Sequence, residues 1–269
     1  MNLNNSDAHK LLEARLDDML ERSRRGELVC GNFLTPAELS VCRIMLRQRG
    51  EEGDSFFWGG YNGAERQRLY VLPSYLRGID GDSEERLKLY CDEEFSSSVK
   101  ALSVKGSGYK KLTHRDYMGS VLALGVERHT IGDIVVDDDY GAVIFCTDKI
   151  ADYLVTSLER IGSDKVTVKI AELSPDFCPE KKFIPVNDTV ASNRLDCVVG
   201  ALTSLSREKA QTLIRSGLCE IDHLPEDRCD LDLKVPCTIS VRGWGKYEVV
   251  AFDGETRRGR LRLVAKKYI

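Results

Sequence analysis

Arg194-Leu195-Asp196-Cys197-Val198-Val199-Gly200-Ala201-Leu202-Thr203-Ser204-Leu205-Ser206-Arg207-Glu208-Lys209-Ala210-Gln211-Thr212-Leu213-Ile214-Arg215-Ser216-Gly217 is the stretch whose reading decides the C-terminal fold. Leu195, Val198, Val199, Leu202 and Leu205 recur at the three-and-four spacing of an amphipathic helix that begins at Asp196. Ser206 opens a second helix, because its hydroxyl accepts from the backbone N–H groups left free at a helix start. Arg207 and Lys209 project from that first turn, and Ala210, Leu213 and Ile214 form a buried stripe. Gly217 stands where a left-handed residue ends a helix. The head of the second helix combines unpaired N–H groups, partial positive charge and Arg207, which suits a phosphate.

Downstream the period changes to that of a strand. Cys219 and Ile221 alternate with polar neighbours, and Thr238–Val241 and Tyr247–Val250 form a hairpin around Gly243 and Gly245. Arg242 and Lys246 flank the turn, with Trp244 available to stack. This order resembles the RNA-binding domain named after the fourth small-subunit ribosomal protein, the S-four domain or αL RNA-binding motif. The expected RNA contacts here are Arg194, Ser206, Arg207, Lys209, Arg215, Arg242, Trp244 and Lys246. The plainer alternative is a small α/β domain with a solvated basic rim.

The 269 residues carry a net charge of −4, with a pI near 5.7, so affinity for a polyanion must come from local patches. Arg257, Arg258, Arg260, Arg262, Lys266 and Lys267 all follow the last acidic residue, Glu255. Leu261 and Leu263 alternate with Arg260 and Arg262, so the same segment also reads as an exposed strand. The 9 cysteines include no Cys-x-x-Cys pair, which argues for reduced thiols in a cytoplasm. Cys219, His223 and Cys229 match no zinc spacing, and no metal or cofactor is expected. The start of the chain has no signal-peptide pattern, and no apolar run is long enough to cross a bilayer. A cytoplasmic protein without a membrane partner is expected.

Upstream, Leu11, Leu12, Leu16, Met19 and Leu20 mark an amphipathic helix from Ser6 to about Arg25. A second helix opens at Thr35-Pro36, with Glu38 completing a capping box, and ends near Gly50. Phe56–Tyr61 and Arg68–Leu72 then read as two strands around Asn62–Arg66. Their aromatic cluster beside Arg66 and Arg68 either contacts RNA or forms the core of a hairpin, and Arg66 and Arg68 count as candidate RNA contacts. From Phe95 the pattern is strand Val99–Val104, helix Thr113–Leu124, strands Ile134–Val136 and Tyr140–Cys146, helix Asp148–Ile161 and strand Val166–Ile170. That β-α-β-β-α-β order is the ferredoxin-like or RRM architecture. The aromatic signature of an RRM strand is poorly met by Tyr140–Phe145, so the sheet supports RNA binding only weakly. Pro175, Pro179 and Pro185 among charged residues make 174–190 a linker. The expected fold is therefore α+β: a small N-terminal α/β domain over 1–92, an RRM-like domain over 93–173, and an S-four domain over 191–269.

Short catalytic look-alikes fail on their surroundings. His114-Arg115-Asp116 and Asp176-Phe177 copy kinase fragments. Val121 occupies the position of the magnesium-binding asparagine, and Cys178 replaces the needed glycine. Thr113 with Asp116 instead makes a helix start, leaving His114 and Arg115 exposed as candidate RNA contacts. Gly106-Ser107-Gly108 with Lys110 and Lys111 lacks both nucleotide fingerprints and reads as a flexible basic loop suited to a nucleic-acid backbone. A pseudouridine synthase is the more serious rival, since S-four domains accompany such enzymes and their catalytic aspartate lies in an Arg-Leu-Asp-like motif. Arg194-Leu195-Asp196 is used by the helix start, Arg15-Leu16-Asp17 lies inside the first helix, and the middle region is too short for that catalytic domain. No catalytic residue is expected.

Across nearly its whole length the chain resembles the YlmH family of bacterial S-four proteins. The resemblance rests on Phe57-Trp58-Gly59-Gly60-Tyr61, Gly63-Ala64-Glu65-Arg66 and Arg68. It continues through Leu112–Gly119, Leu122–Gly125, Ile131-Gly132-Asp133-Ile134 and the S-four run. It implies binding to ribosomal RNA and transfer RNA on the large ribosomal subunit, with some members holding peptidyl-tRNA on obstructed large subunits during quality control. Quality-control or division proteins are the implied protein partners, and nothing in the sequence demands more than a monomer. A division-linked scaffold with secondary RNA binding is the competing reading.

Overall fold

The structure, a computed structural model, describes the backbone of residues 3–77, 79–92, 95, 98–137, 141–174 and 176–269, and side chains from residue 7 onward. The chain divides into two compact units, Met1–Pro179 and Glu180–Ile269. Among the described residues the architecture is mixed α+β, with seven helices and several antiparallel sheets.

In the first unit, α1 (Leu3–Arg24) and α2 (Pro36–Arg49) pack on a sheet ordered β1-β3-β2, made from β1 (Val29–Leu34), β2 (Ser55–Trp58) and β3 (Gln67–Val71). Thr35 caps α2 as expected: its hydroxyl accepts from Glu38 N–H at 3.3 Å, and the Glu38 carboxylate accepts from Thr35 N–H at 2.7 Å. Leu16, Leu20, Met45, Leu46, Leu69 and Val71 close this layer. The opposite side of the sheet buries Tyr70, Leu72, Leu76 and Phe95 with Leu87 from α3 (Ser83–Tyr90). Phe56 and Trp58 pack there too, with Phe56 and Phe95 ring centroids 5.8 Å apart. The aromatic cluster is thus hairpin core.

The second sheet of this unit follows the expected order of elements. It comprises β4 (Val99–Lys105), α4 (His114–Ala123), β5 (Ile131–Val136), β6 (Gly141–Thr147), α5 (Asp148–Ser157), the hairpin β7 (Arg160–Ile161) and β8 (Asp164–Lys165), and β9 (Thr167–Ile170). The strands lie in the order β5-β6-β4-β9, all antiparallel. Tyr140, the expected start of β6, falls outside the described residues. The helix expected over Asp148–Ile161 stops at Ser157: Leu158 turns into the core, and Gly162, at φ +57, makes the tight turn of the β7-β8 hairpin. Leu102, Val104, Ile131, Ile144, Cys146, Tyr117, Val121 and Leu154 form the core between sheet and helices.

The second unit is one six-stranded antiparallel sheet with two helices against it. In chain order it contains β10 (Phe183–Val190), α6 (Leu195–Thr203), α7 (Arg207–Arg215), β11 (Cys219–Ile221), β12 (Leu224–Pro225), β13 (Cys237–Val241), β14 (Gly245–Glu255) and β15 (Leu261–Tyr268). The sheet order is β10-β15-β14-β13-β11-β12. This corrects the linker expected over 174–190, since Phe183–Val190 pairs residue for residue with β15, from Phe183 opposite Tyr268 to Val190 opposite Leu261. Pro185 is tolerated because β10 is an edge strand, where a missing N–H faces outward. Of the basic residues after Glu255, Arg257, Arg258 and Arg260 lie in the β14-β15 turn, and Arg262, Lys266 and Lys267 lie on the interior strand β15, where Leu263 and Ala265 are buried and Arg262 is exposed.

Candidate nucleic-acid interface

The two helices of the second unit meet at one carboxylate. Asp196 has no exposed surface, yet it lies in the first turn of α6, with its backbone N–H donating to Cys229 O at 3.0 Å. Arg194 donates from Nε to Oδ1 and from a terminal nitrogen to Oδ2, each at 3.2 Å. Arg207 donates from Nε to Oδ2 at 2.9 Å, and Gln211 from Nε2 to the same oxygen at 2.7 Å. Burial pushes the Asp196 carboxyl pKa up, but the hydrogen bonds from Arg194, Gln211 and Arg207 outweigh it and hold the group well below the usual carboxylate range. Oδ2 thus accepts three hydrogen bonds and Oδ1 one, and the charged carboxylate is held between the two helices.

The guanidiniums remain accessible. The Arg194 side chain is 36% exposed and that of Arg207 57%, so each turns an outer edge to solvent while its inner edge is fixed. Ser206 caps α7 as expected, accepting from Lys209 N–H at 3.4 Å, and Lys209 is exposed beside it. Two fixed guanidiniums, a lysine and a helix head with unpaired N–H groups are what an anionic oxygen seeks.

The candidate contacts fall in two groups. Arg194, Ser206, Arg207 and Lys209 gather at the head of α7, whereas exposed Arg215 lies at its other end, about 13 Å away at the rise of an α-helix. Arg242 N–H donates to Leu218 O at 2.9 Å, which ties the β13-β14 turn to that far end. Exposed Arg242 and Trp244, itself 41% exposed, belong to this second cluster. Lys246, on β14, lies 5.4 Å from the Tyr268 ring centroid. Sequence reasoning missed Gln211, whose place one helical turn after Arg207 was the available signal.

In the first unit the candidates separate sharply. Arg66 and Arg68 are 8% and 6% exposed and are withdrawn as RNA contacts. Arg66 donates from Nε to Ile131 O at 3.0 Å and reaches Phe33 O and Arg128 O at 3.4 Å, while Arg68 Nε donates to Gly31 O at 2.7 Å. Both guanidiniums satisfy buried carbonyls. Burial, then Arg128, lowers the Arg66 pKa to about 10, so it stays cationic at neutral pH. His114 and Arg115 are exposed in the first turn of α4, capped by Thr113 and Asp116. Partial burial, then the charge of Arg128, holds the His114 pKa below its ordinary value.

The face of the second sheet turned away from α4 and α5 is covered. Phe145 is 1% exposed, with the Tyr61 ring 4.8 Å away and that of Phe177 6.1 Å away; Ala64, Val135, Val143 and Leu173 complete the patch. Asp133 locks this cover in place, accepting from Tyr61 OH at 2.8 Å, Glu65 N–H at 2.7 Å and Arg66 N–H at 3.0 Å. No base can reach Phe145. Among the described residues there is no cluster of His, Cys, Asp and Glu able to hold a metal, and no helix long and apolar enough to cross a membrane.

Charge is distributed unevenly. Residues 180–269 carry 16 Lys and Arg against 13 Asp and Glu, whereas residues 1–179 carry 23 against 30. The second unit is therefore net basic and the first net acidic.

Residues 8–76 match the family model described as "YlmH, N-terminal", and residues 92–175 match one described as "Putative RNA-binding domain in YlmH". The chain belongs to the YlmH family. A relative in Bacillus subtilis (strain 168), named ribosome-associated protein quality control protein P2, is 26% identical over 237 residues, 88% of this chain and 86% of the relative. A solved structure titled cell division protein ylmH from Streptococcus pneumoniae covers 64% of this chain and 93% of its own, with 17% identity and a TM-score of 0.46. Among the stretches that carry the YlmH resemblance in the first unit, Phe57–Tyr61 with Gly63–Arg66 and Ile131–Ile134 supply the two sides of the Asp133 lock, through Tyr61, Glu65 and Arg66.

Proposed function

We propose that this chain is a non-catalytic, cytoplasmic RNA-binding protein that associates with ribosomal and transfer RNA on the large ribosomal subunit. In this reading it acts in ribosome-associated quality control by holding peptidyl-tRNA on obstructed large subunits, working as a monomer beside other quality-control proteins. The observation that carries the reading is the Arg194–Asp196–Arg207 cluster at the head of α7, two half-exposed guanidiniums fixed on a buried carboxylate. Residues 191–269 are read as an S-four domain, with β10 as an added edge strand. The 99–170 sheet is read as RRM-like with its platform occluded.

Arg194, Arg207 and Lys209 engage phosphates of a structured RNA, and Ser206 with the α7 head adds hydrogen bonds. Arg215, Arg242, Trp244 and Lys246 supply a second edge, and His114 and Arg115 add contacts from the first unit. Phosphate contacts of this kind fix register and orientation with little sequence information, so recognition is of the shape of a folded ribosomal helix.

The test is co-sedimentation with separated ribosomal subunits and with peptidyl-tRNA-bearing large subunits, at moderate salt. Wild type sediments with large subunits, preferentially with the peptidyl-tRNA-bearing form. Arg194→Ala/Arg207→Ala and the surface variant Lys209→Glu do not, and circular dichroism verifies that each is folded. Wild type that sediments with no particle, yet retains nuclease-resistant protein partners, returns the chain to a division-linked scaffold.

A further inference from the structure

The occluded sheet leaves open how the first unit meets a base. Tyr109, in the loop between β4 and α4, is 95% exposed, more than Tyr75 at 63%, Tyr90 at 52% or Tyr153 at 45%. Lys110 and Lys111 follow it, both exposed, and exposed Lys105 precedes the loop. The loop is held in shape from β8: Asp164 accepts from the Ser107 N–H at 3.1 Å and from the Ser107 hydroxyl, which in turn accepts from Tyr109 N–H at 3.4 Å. Among the described residues, Asp164 and Asp116 feel the charge of Lys110 and also accept hydrogen bonds from Ser107 and from Thr113. Arg115 and Arg128 extend the basic surface on α4 and after it.

A tyrosine ring wholly in water contributes nothing to a core. Its neighbours Gly106, Ser107, Gly108, Lys110 and Lys111 supply no further apolar surface of the kind a protein partner packs against. A flat ring between cations suits a ligand that carries both a flat face and phosphates. A paired helix hides its base faces, whereas unpaired nucleotides display them. We infer that Tyr109 stacks on an unpaired RNA nucleotide whose flanking phosphates meet Lys110 and Lys111, a binding site distinct from the head of α7. This rests on the RNA-binding reading of the chain.

The experiment uses the full chain and fluorescence anisotropy with two fluorescein-labelled probes, a single-stranded 12-nucleotide RNA and the blunt 12-base-pair duplex of the same sequence. Tyr109→Ala weakens the single strand about tenfold and leaves the duplex within twofold, while Tyr109→Phe binds both as wild type. Because the side chain is exposed, the melting temperature of both variants is unchanged. With 5-iodouridine in the single strand, the photo-crosslink maps to Tyr109. Equal single-strand binding by Tyr109→Ala, or a crosslink elsewhere, overturns the inference while leaving the RNA reading intact. Wild type that binds neither probe nor any ribosomal particle overturns both.

Discussion

Arg207 Nε–H donates to Asp196 Oδ2 at 2.9 Å, from the first turn of α7 to a carboxylate that α6 keeps entirely out of water. One buried charge thereby fixes the relative position of two helices and the aim of two guanidiniums, since Arg194 shares the same acceptor. The edge proposed to face RNA is built from the inside outward.

Asp196→Asn keeps the shape and removes the charge, and it turns an NH2 group toward donors that need an acceptor. Loss of one partner of a buried pair costs about 3 kcal/mol, moderated here because the guanidiniums can rehydrate. The wild-type carboxyl is depressed in the folded state, so its stabilisation is fully present above the unfolded-state value of about 4 and is lost as pH falls below it. Urea melts from pH 3 to 7 check this: wild type loses stability toward acid, and Asp196→Asn lacks that component of the decline.

Arg207→Ala removes one cation from the proposed phosphate contacts. Affinity for many unrelated RNAs drops, and the slope of log K against log salt falls by about one. Arg207→Lys keeps the charge but loses the planar fork that serves Asp196 and solvent together, so its slope is retained while its affinity falls. An Arg207→Ala slope equal to wild type removes Arg207 from the interface.

Legibility in the sequence followed the range of the interaction. Thr35, Thr113 and Ser206 were readable as caps because each partner lies three residues away. The α6-α7 pair followed from spacing alone. β1 was not read, since Val29-Cys30-Gly31-Asn32-Phe33-Leu34 shows little alternation and its register slips between Cys30 and Phe33. β10 reads as linker because its proline and charges suit a linker and an edge strand equally well. Arg66 and Arg68 read as surface by charge, and only carbonyls distant in the chain, such as Ile131 O, show that they are buried.

Arg66→Met tests that last point. The substitution strands the Ile131 and Phe33 carbonyls in a dry site, at a cost of about 2 kcal/mol. Thermal melting falls by several degrees, whereas RNA affinity and salt slope, measured well below the midpoint, stay at wild-type values. A changed slope with unchanged melting would return Arg66 to the contact list.

The cover over Phe145 admits a test in the same spirit. Gly60 has φ +101, and a Cβ there would lie 2.4 Å from Phe145 Cδ1 and 2.8 Å from Cε1. Gly60→Ala therefore adds backbone strain to a collision with a ring that is 1% exposed and already hemmed by Tyr61 and Phe177. Phe145→Ala instead leaves a cavity under Tyr61, with a loss of about 3 to 4 kcal/mol. Both variants lower the unfolding midpoint in denaturant, and neither alters RNA affinity in the folded protein, because the sheet face they disturb is sealed by Asp133 and Tyr61. A folded, fully stable Phe145→Ala protein with weakened RNA binding would show instead that the face opens and serves as a platform.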